Sequence, residues 1–124
     1  MAAMFDLANF DITRFEASAG EAAKLLRALG NERRLMILCQ LTEGERSVGE
    51  LAPTVGLSQS ALSQHLAVLR EEAIVTTRRE GQTIWYRITD PAAMKVVATL
   101  AEIFCPPDMK KADATDYSET QGRR

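Results

Sequence analysis

The strongest constraint on this chain is a change in the period of its apolar residues. Val48, Leu51, Ala52 and Val55 recur at i, i+3, i+4 and i+7, the stripe of an amphipathic helix. Ser47 before them and Glu50 three residues on make a capping-box pattern. Gly56-Leu57 is a tight break, and Ser58 is the expected cap of a further helix running to about Glu72 with Leu62, Leu66 and Leu69 inward. The period then drops to two. Residues 74–79 and 83–89 are β-rich, with Ile84, Tyr86 and Ile88 on one face and Glu80-Gly81 as the turn between them. Helix, glycine turn, helix and hairpin describe a helix-turn-helix followed by a wing.

The flanks complete a mainly α fold with a small β-hairpin wing, in the order of four helices, hairpin and a fifth helix. Ala22, Leu25, Leu26 and Leu29 predict a first helix over 15–29, closed by Gly30. Asn31 caps a second over 32–41, with Leu35, Leu38 and Cys39 on one face. Pro91 suits the first turn of the last helix, which carries Met94, Val97, Leu100, Ala101 and Phe104. Pro106-Pro107 stops it. The expected organisation is a flexible N-terminus over 1–14, one winged helix-turn-helix domain over 15–105, and a disordered tail over 106–124. Residues 108–124 contain no Val, Leu, Ile, Phe or Trp from which to build a core.

Composition narrows the function. The 124 residues fit a single domain. No stretch approaches a membrane span. The N-terminus lacks a basic start and a continuous apolar run, so a cytoplasmic protein is expected. Fifteen Lys and Arg against seventeen Asp and Glu leave a net charge of -2, so any nucleic-acid surface must be local. His65 is the only histidine. It supports neither a Ser-His-Asp hydrolase nor an ordinary Cys/His zinc site, and neither enzymatic activity, cofactor nor metal is expected.

The local surface lies on the fourth helix and the wing. Gln59, Ser60, Ser63, Gln64 and Ala67 face away from the leucines; Ser58 at the cap joins Gln59, Ser60, Ser63 and Gln64 as a DNA-binding candidate, and His65 at the flank reads as a packing or phosphate-side residue. Short hydroxyls and amides solubilise poorly but read base edges well, since Gln bonds adenine with two hydrogen bonds and Ser both donates and accepts. Arg78 and Arg79 precede the hairpin turn, and Gln82 and Thr83 follow it, placing cations for phosphates or the minor groove. Over 58–89, Arg70, Arg78, Arg79 and Arg87 stand against Glu71, Glu72 and Glu80, a slightly positive patch in an acidic chain. A solvated helix face beside a plain hairpin is the competing reading. Arg33-Arg34 is assigned equally to solvent or phosphate, Lys110-Lys111 to solvent, and Trp85 to the outer face of the hairpin.

The segment LSQSALSQHLAVLREEAIVTTRREGQTIWYRI resembles the core of the ArsR/SmtB family of bacterial winged-helix repressors. SALSQHLAVL stands where that family carries its recognition helix, and NERRLMILCQL is similar to its second helix. The resemblance covers about residues 15–105. It implies a homodimer built on the first and last helices, a palindromic double-stranded DNA operator and an inducer that releases the DNA.

Both metal sites common in the family are absent by sequence. Ser47-Val48-Gly49 replaces the Cys-Val-Cys of the arsenic sensors, and residues 91–105 hold none of the histidines of the zinc sensors. Cys39 and Cys105 instead match in position the sensing cysteines of the BigR, SqrR and HlyU group, thiol-based repressors of reactive sulfur. That resemblance implies a repressor whose operator affinity falls when the Cys39–Cys105 pair is oxidised by persulfides. A peroxide-driven disulfide switch, or a metal sensor with an atypical site, are the alternatives. Read from the residues alone, free cysteines as core fillers and a winged-helix module that binds protein also stay open.

Overall fold

The computed structural model describes residues 11–105. The elements are α1 (Ile12–Leu29), α2 (Glu32–Leu41), β1 (Arg46–Ser47), α3 (Val48–Val55), α4 (Gln59–Glu71), β2 (Val75–Glu80), β3 (Thr83–Ile88) and α5 (Pro91–Phe104). The expected tail, with Lys110-Lys111, and most of the expected flexible N-terminus lie outside the described residues.

Each helix begins at a side-chain cap. Asn31 Oδ1 accepts from Arg34 N at 3.0 Å, Ser58 Oγ from Ala61 N at 3.1 Å, and Asp90 Oδ1 from Ala92 N at 3.0 Å with Pro91 beside it. At α3 the capping box closes in both directions: Ser47 Oγ accepts from Glu50 N at 3.2 Å, and Glu50 Oε1 from Ser47 N at 3.1 Å. Helix α1 starts at Ile12, earlier than its apolar spacing suggests, because Asp11 accepts from Thr13 N and Arg14 N. Residues 11–14 therefore form the capped first turn of a helix.

Between α3 and α4, Gly56 takes the left-handed conformation at φ 69°, and its N–H donates to Ala52 O at 3.0 Å. This turn sets α4 across α3. After α4 the chain turns through Ala73, a non-glycine residue at φ 61°.

The sheet has the order β1-β3-β2, antiparallel throughout. The hairpin pairs Val75 with Ile88 through to Glu80 with Thr83. The third strand, β1, pairs Arg46 with Tyr86 and Ser47 with Trp85. Its two residues are too few to display alternation, so the expected two-stranded wing is completed by a strand with no period of its own. Of the residues expected on one face of β3, Ile88 is buried and Tyr86 packs on the core, whereas Ile84 near the tip is exposed.

The core gathers Ile37, Leu38 and Leu41 of α2 with Leu51, Val55, Leu62, Leu66 and Leu69 of the helix-turn-helix, closed by Ile74, Val75, Ala93 and Val97. A buried Leu or Ile side chain contributes about 1.5–3 kcal/mol. This core therefore fixes the orientation of α4 rather than merely its existence. Helix α1 gives it only Ala28 and Leu29 as fully buried residues.

The arginine pair that opens α2 meets neither expectation. Arg33 Nη1 donates to Val55 O at 2.8 Å, at the C-terminal end of α3. Arg34 Nε donates to Ala28 O at 2.6 Å and its Nη2 to Arg27 O at 3.3 Å, at the end of α1. Each guanidinium satisfies carbonyls that a helix end leaves without intrahelical partners. Among the described residues no helix is long and apolar enough to cross a membrane.

Candidate functional site

Helix α4 is held by its leucines and leaves its other face to solvent. Leu62, Leu66 and Leu69 are buried, while Ser58, Gln59, Ser60, Ser63, Gln64 and Ala67 are exposed. His65 is half-buried at the flank between these faces. Ser58 Oγ is committed to its cap. Among the described residues the side chains of Gln59, Ser60, Ser63 and Gln64 form no hydrogen bond, so their donors and acceptors all face outward. The positive end of the α4 dipole lies at its N-terminus, beside Ser58 and Gln59.

In the wing, Arg79, Gln82 and Thr83 are exposed on either side of Gly81, whose φ of 63° closes the hairpin. Arg78 is differently placed. Its Nε donates to Glu45 Oε1 and Oε2 at 3.1 and 3.0 Å, and its Nη2 to Oε1 at 2.7 Å. Its Nη1 lies 3.6 Å from Glu80 Oε1. Its guanidinium carbon sits 5.7 Å from the centroid of the Trp85 ring. The Arg78 hydrogen bonds hold the Glu45 carboxyl below the usual carboxylate range, and Glu45 in turn raises Arg78. Trp85 is half-buried, and its Nε1 is buried with no hydrogen-bond partner. Glu45 carried no signal in the sequence, because its partner lies 33 residues away.

The two thiols lie on α2 and at the end of α5, outside the helix-turn-helix. Cys39 is half-buried late in α2, and Cys105 is exposed just beyond α5. Both line one groove of about 730 Å³ between α2, α3 and α5, together with Leu35, Val55, Leu100 and Phe104. Burial pushes the Cys39 thiol above its usual range, and a negative charge on Cys105 pushes it further the same way. Among the described residues no group of three or more His, Cys, Asp or Glu side chains is arranged to hold a metal ion.

Residues 31–77, from the cap of α2 through the helix-turn-helix into β2, match the family described as "Bacterial regulatory protein, arsR family". The chain is 44% identical over 98 residues to the transcriptional activator HlyU of Vibrio cholerae, covering 79% of this chain and 91% of HlyU. This chain belongs to the ArsR family. Its fold matches the transcriptional repressor BigR of Xylella fastidiosa with a TM-score of 0.73 at 46% identity, over 78% of this chain and 99% of BigR. It also matches the homodimeric winged helix-turn-helix DNA-binding domain Mb0332 of Mycobacterium bovis, with a TM-score of 0.63 at 32% identity, over 83% and 89% of the two chains. The ArsR-family protein is thus a winged helix-turn-helix transcriptional regulator, and its resemblance to the HlyU and BigR group holds in both sequence and structure.

Proposed function

We propose that this protein is a homodimeric repressor whose hold on a palindromic operator is lowered when sulfur from a persulfide bridges Cys39 and Cys105. The observation that carries the reading is the shared groove: residues 66 positions apart in sequence (105 − 39) line one cavity between α2 and α5. In the DNA-bound form Ser58, Gln59, Ser60, Ser63, Gln64 and His65 face the major groove and flanking phosphates. Arg79, Gln82 and Thr83 track the backbone beside it. Two recognition helices one helical turn apart, roughly 34 Å, read the two half-sites. The dimer forms through α1 and α5, where Leu26 and Ile103 stand 61% and 63% exposed on one protomer. A concentration-independent monomer in sedimentation at micromolar protein refutes that dimer.

The chemistry balances with persulfide as both sulfur donor and oxidant. A persulfide RSSH transfers its outer sulfur to a cysteine thiol, giving Cys–SSH and RSH. If the second thiol attacks the sulfur attached to the first cysteine's Cβ, a disulfide forms and hydrogen sulfide leaves. If both cysteines are first persulfidated, their condensation releases one hydrogen sulfide and leaves a trisulfide. A direct disulfide requires Cα atoms within roughly 7 Å, and the extra sulfur relaxes that requirement. Cys105 reacts first, being exposed where Cys39 is half-buried with its thiol pushed up.

Mass spectrometry and operator binding after each oxidant test this together. The duplex is a palindromic site selected by the reduced protein from a random-sequence pool. Persulfide is expected to give a bridged product that has gained whole sulfur atoms between Cys39 and Cys105, with loss of binding. Peroxide alone supplies a sulfenate that condenses to a disulfide without added sulfur. Release of DNA by peroxide but not by persulfide favours the peroxide switch. A Cys39→Ser variant that still releases DNA under persulfide rules out the pair.

A further inference from the structure

Glu45 and Arg78 form a bond that neither base reading nor thiol chemistry uses. Glu45 directly precedes β1, whose Ser47 both pairs with Trp85 and caps α3. Arg78 lies opposite Trp85 in the β2–β3 register. Ser47, Trp85 and Arg78 therefore stand side by side across the three strands. The Glu45–Arg78 bond spans the sheet from its β1 edge to its β2 edge with the Trp85 ring beneath the guanidinium. We propose that Glu45 is a positioning residue for DNA binding: by clamping Arg78 over Trp85 it fixes the wing relative to α3, so that Arg79 and the turn meet the DNA while Arg78 does not.

The contacts support this assignment over a phosphate-binding Arg78. Two edges of the guanidinium are occupied, Nε and Nη2 by Glu45 and Nη1 by Glu80 at 3.6 Å. An Arg–carboxylate bond of this two-pronged geometry is directional, so it holds an orientation as well as a charge. Arg79, one residue on, points its side chain to the opposite face of the strand and belongs to no ion pair among the described residues. The pair is solvent-facing, so its effect is modest: exposed pairs of this kind change an equilibrium by up to about fivefold.

The experiment uses the full chain, the selected palindromic duplex and a salt series. The single Trp85 supplies an independent fluorescence signal for the clamp. Glu45→Gln is expected to weaken binding about two- to fivefold with an unchanged salt slope, and to alter Trp85 emission in the free protein. Arg78→Ala is expected to do the same. The exchange Glu45→Arg with Arg78→Glu re-forms the pair with its charges reversed and is expected to recover most of the lost affinity. If Arg78 instead binds phosphate, Arg78→Ala lowers the salt slope by about one and the exchange abolishes binding. If Glu45 competes with DNA for Arg78, Glu45→Gln tightens binding. Either result overturns the clamp. The proposal rests on DNA binding by the wing. A wild-type protein that selects no duplex refutes that reading alone, since the Trp85 signal still reports on the clamp.

Discussion

Helices α4 and α5 are similar in length and both lay one apolar face on the same core, yet their outer faces differ in kind. Beyond Leu62, Leu66 and Leu69, α4 presents serine, glutamine and alanine. Beyond Ala93 and Val97, α5 presents Ile103 and Phe104, the latter 74% exposed. Uncharged short side chains gain little from burial but place donors and acceptors where bases can use them. Large exposed apolar side chains offer no such bonds and gain about 1.5–3 kcal/mol each when covered. On the proposed function, one helix meets DNA and the other is covered by a second copy of the chain.

Putting a carboxylate on each helix breaks the comparison most sharply. Ile103→Glu is expected to cost the dimer about 3–5 kcal/mol by burying an unpaired charge, seen as monomer in sedimentation at micromolar concentration. Ser63→Glu is expected to leave the dimer intact and to weaken all DNA binding on the order of tenfold or more, through repulsion by phosphate. Equal effects on dimer and DNA from both variants would erase the distinction. Within α4 a finer cut follows. Gln64→Ala should cost about 1–3 kcal/mol on the selected duplex and far less on unrelated sequence, measured by competition. Arg79→Ala should instead weaken every sequence alike and lower the salt slope by about one. The smallest effect is expected at the end of α4. Ala73→Gly removes the left-handed strain at φ 61° and should stabilise the fold by about 0.5–1 kcal/mol in urea titration, with base preference unchanged. Destabilisation there would mean that the Ala73 methyl packs more favourably than its backbone is strained.

The helix-turn-helix is legible in the sequence because its determinants are local. Ser47, Glu50, Gly56 and Ser58 act within four residues of themselves, and the leucine spacing by itself names the buried face of α4. The N-cap of α1 is equally local, in Asp11, but is hidden by the weak apolar pattern that follows it. What escapes the sequence is long-range. Strand β1 exists only by pairing with β3, and Arg78 has the same side chain whether it meets phosphate or Glu45. The thiols are intermediate. Their positions draw notice by resemblance, but only the packing of α5 beside α2 places them on one groove.

The two arginines that open α2 give that helix a role beyond filling the core. Through Arg33 it grips the last turn of α3, at the threshold of the recognition helix, and through Arg34 it grips the last turn of α1. Cys39 rides on the same helix about one and a half turns further along. On the proposed thiol switch, a displacement imposed at Cys39 would reach both helix ends through these two hydrogen bonds, at 2.8 and 2.6 Å. Helix α2 would then link the sulfur chemistry to the entrance of α4 and to the end of α1 through two side chains rather than through the backbone.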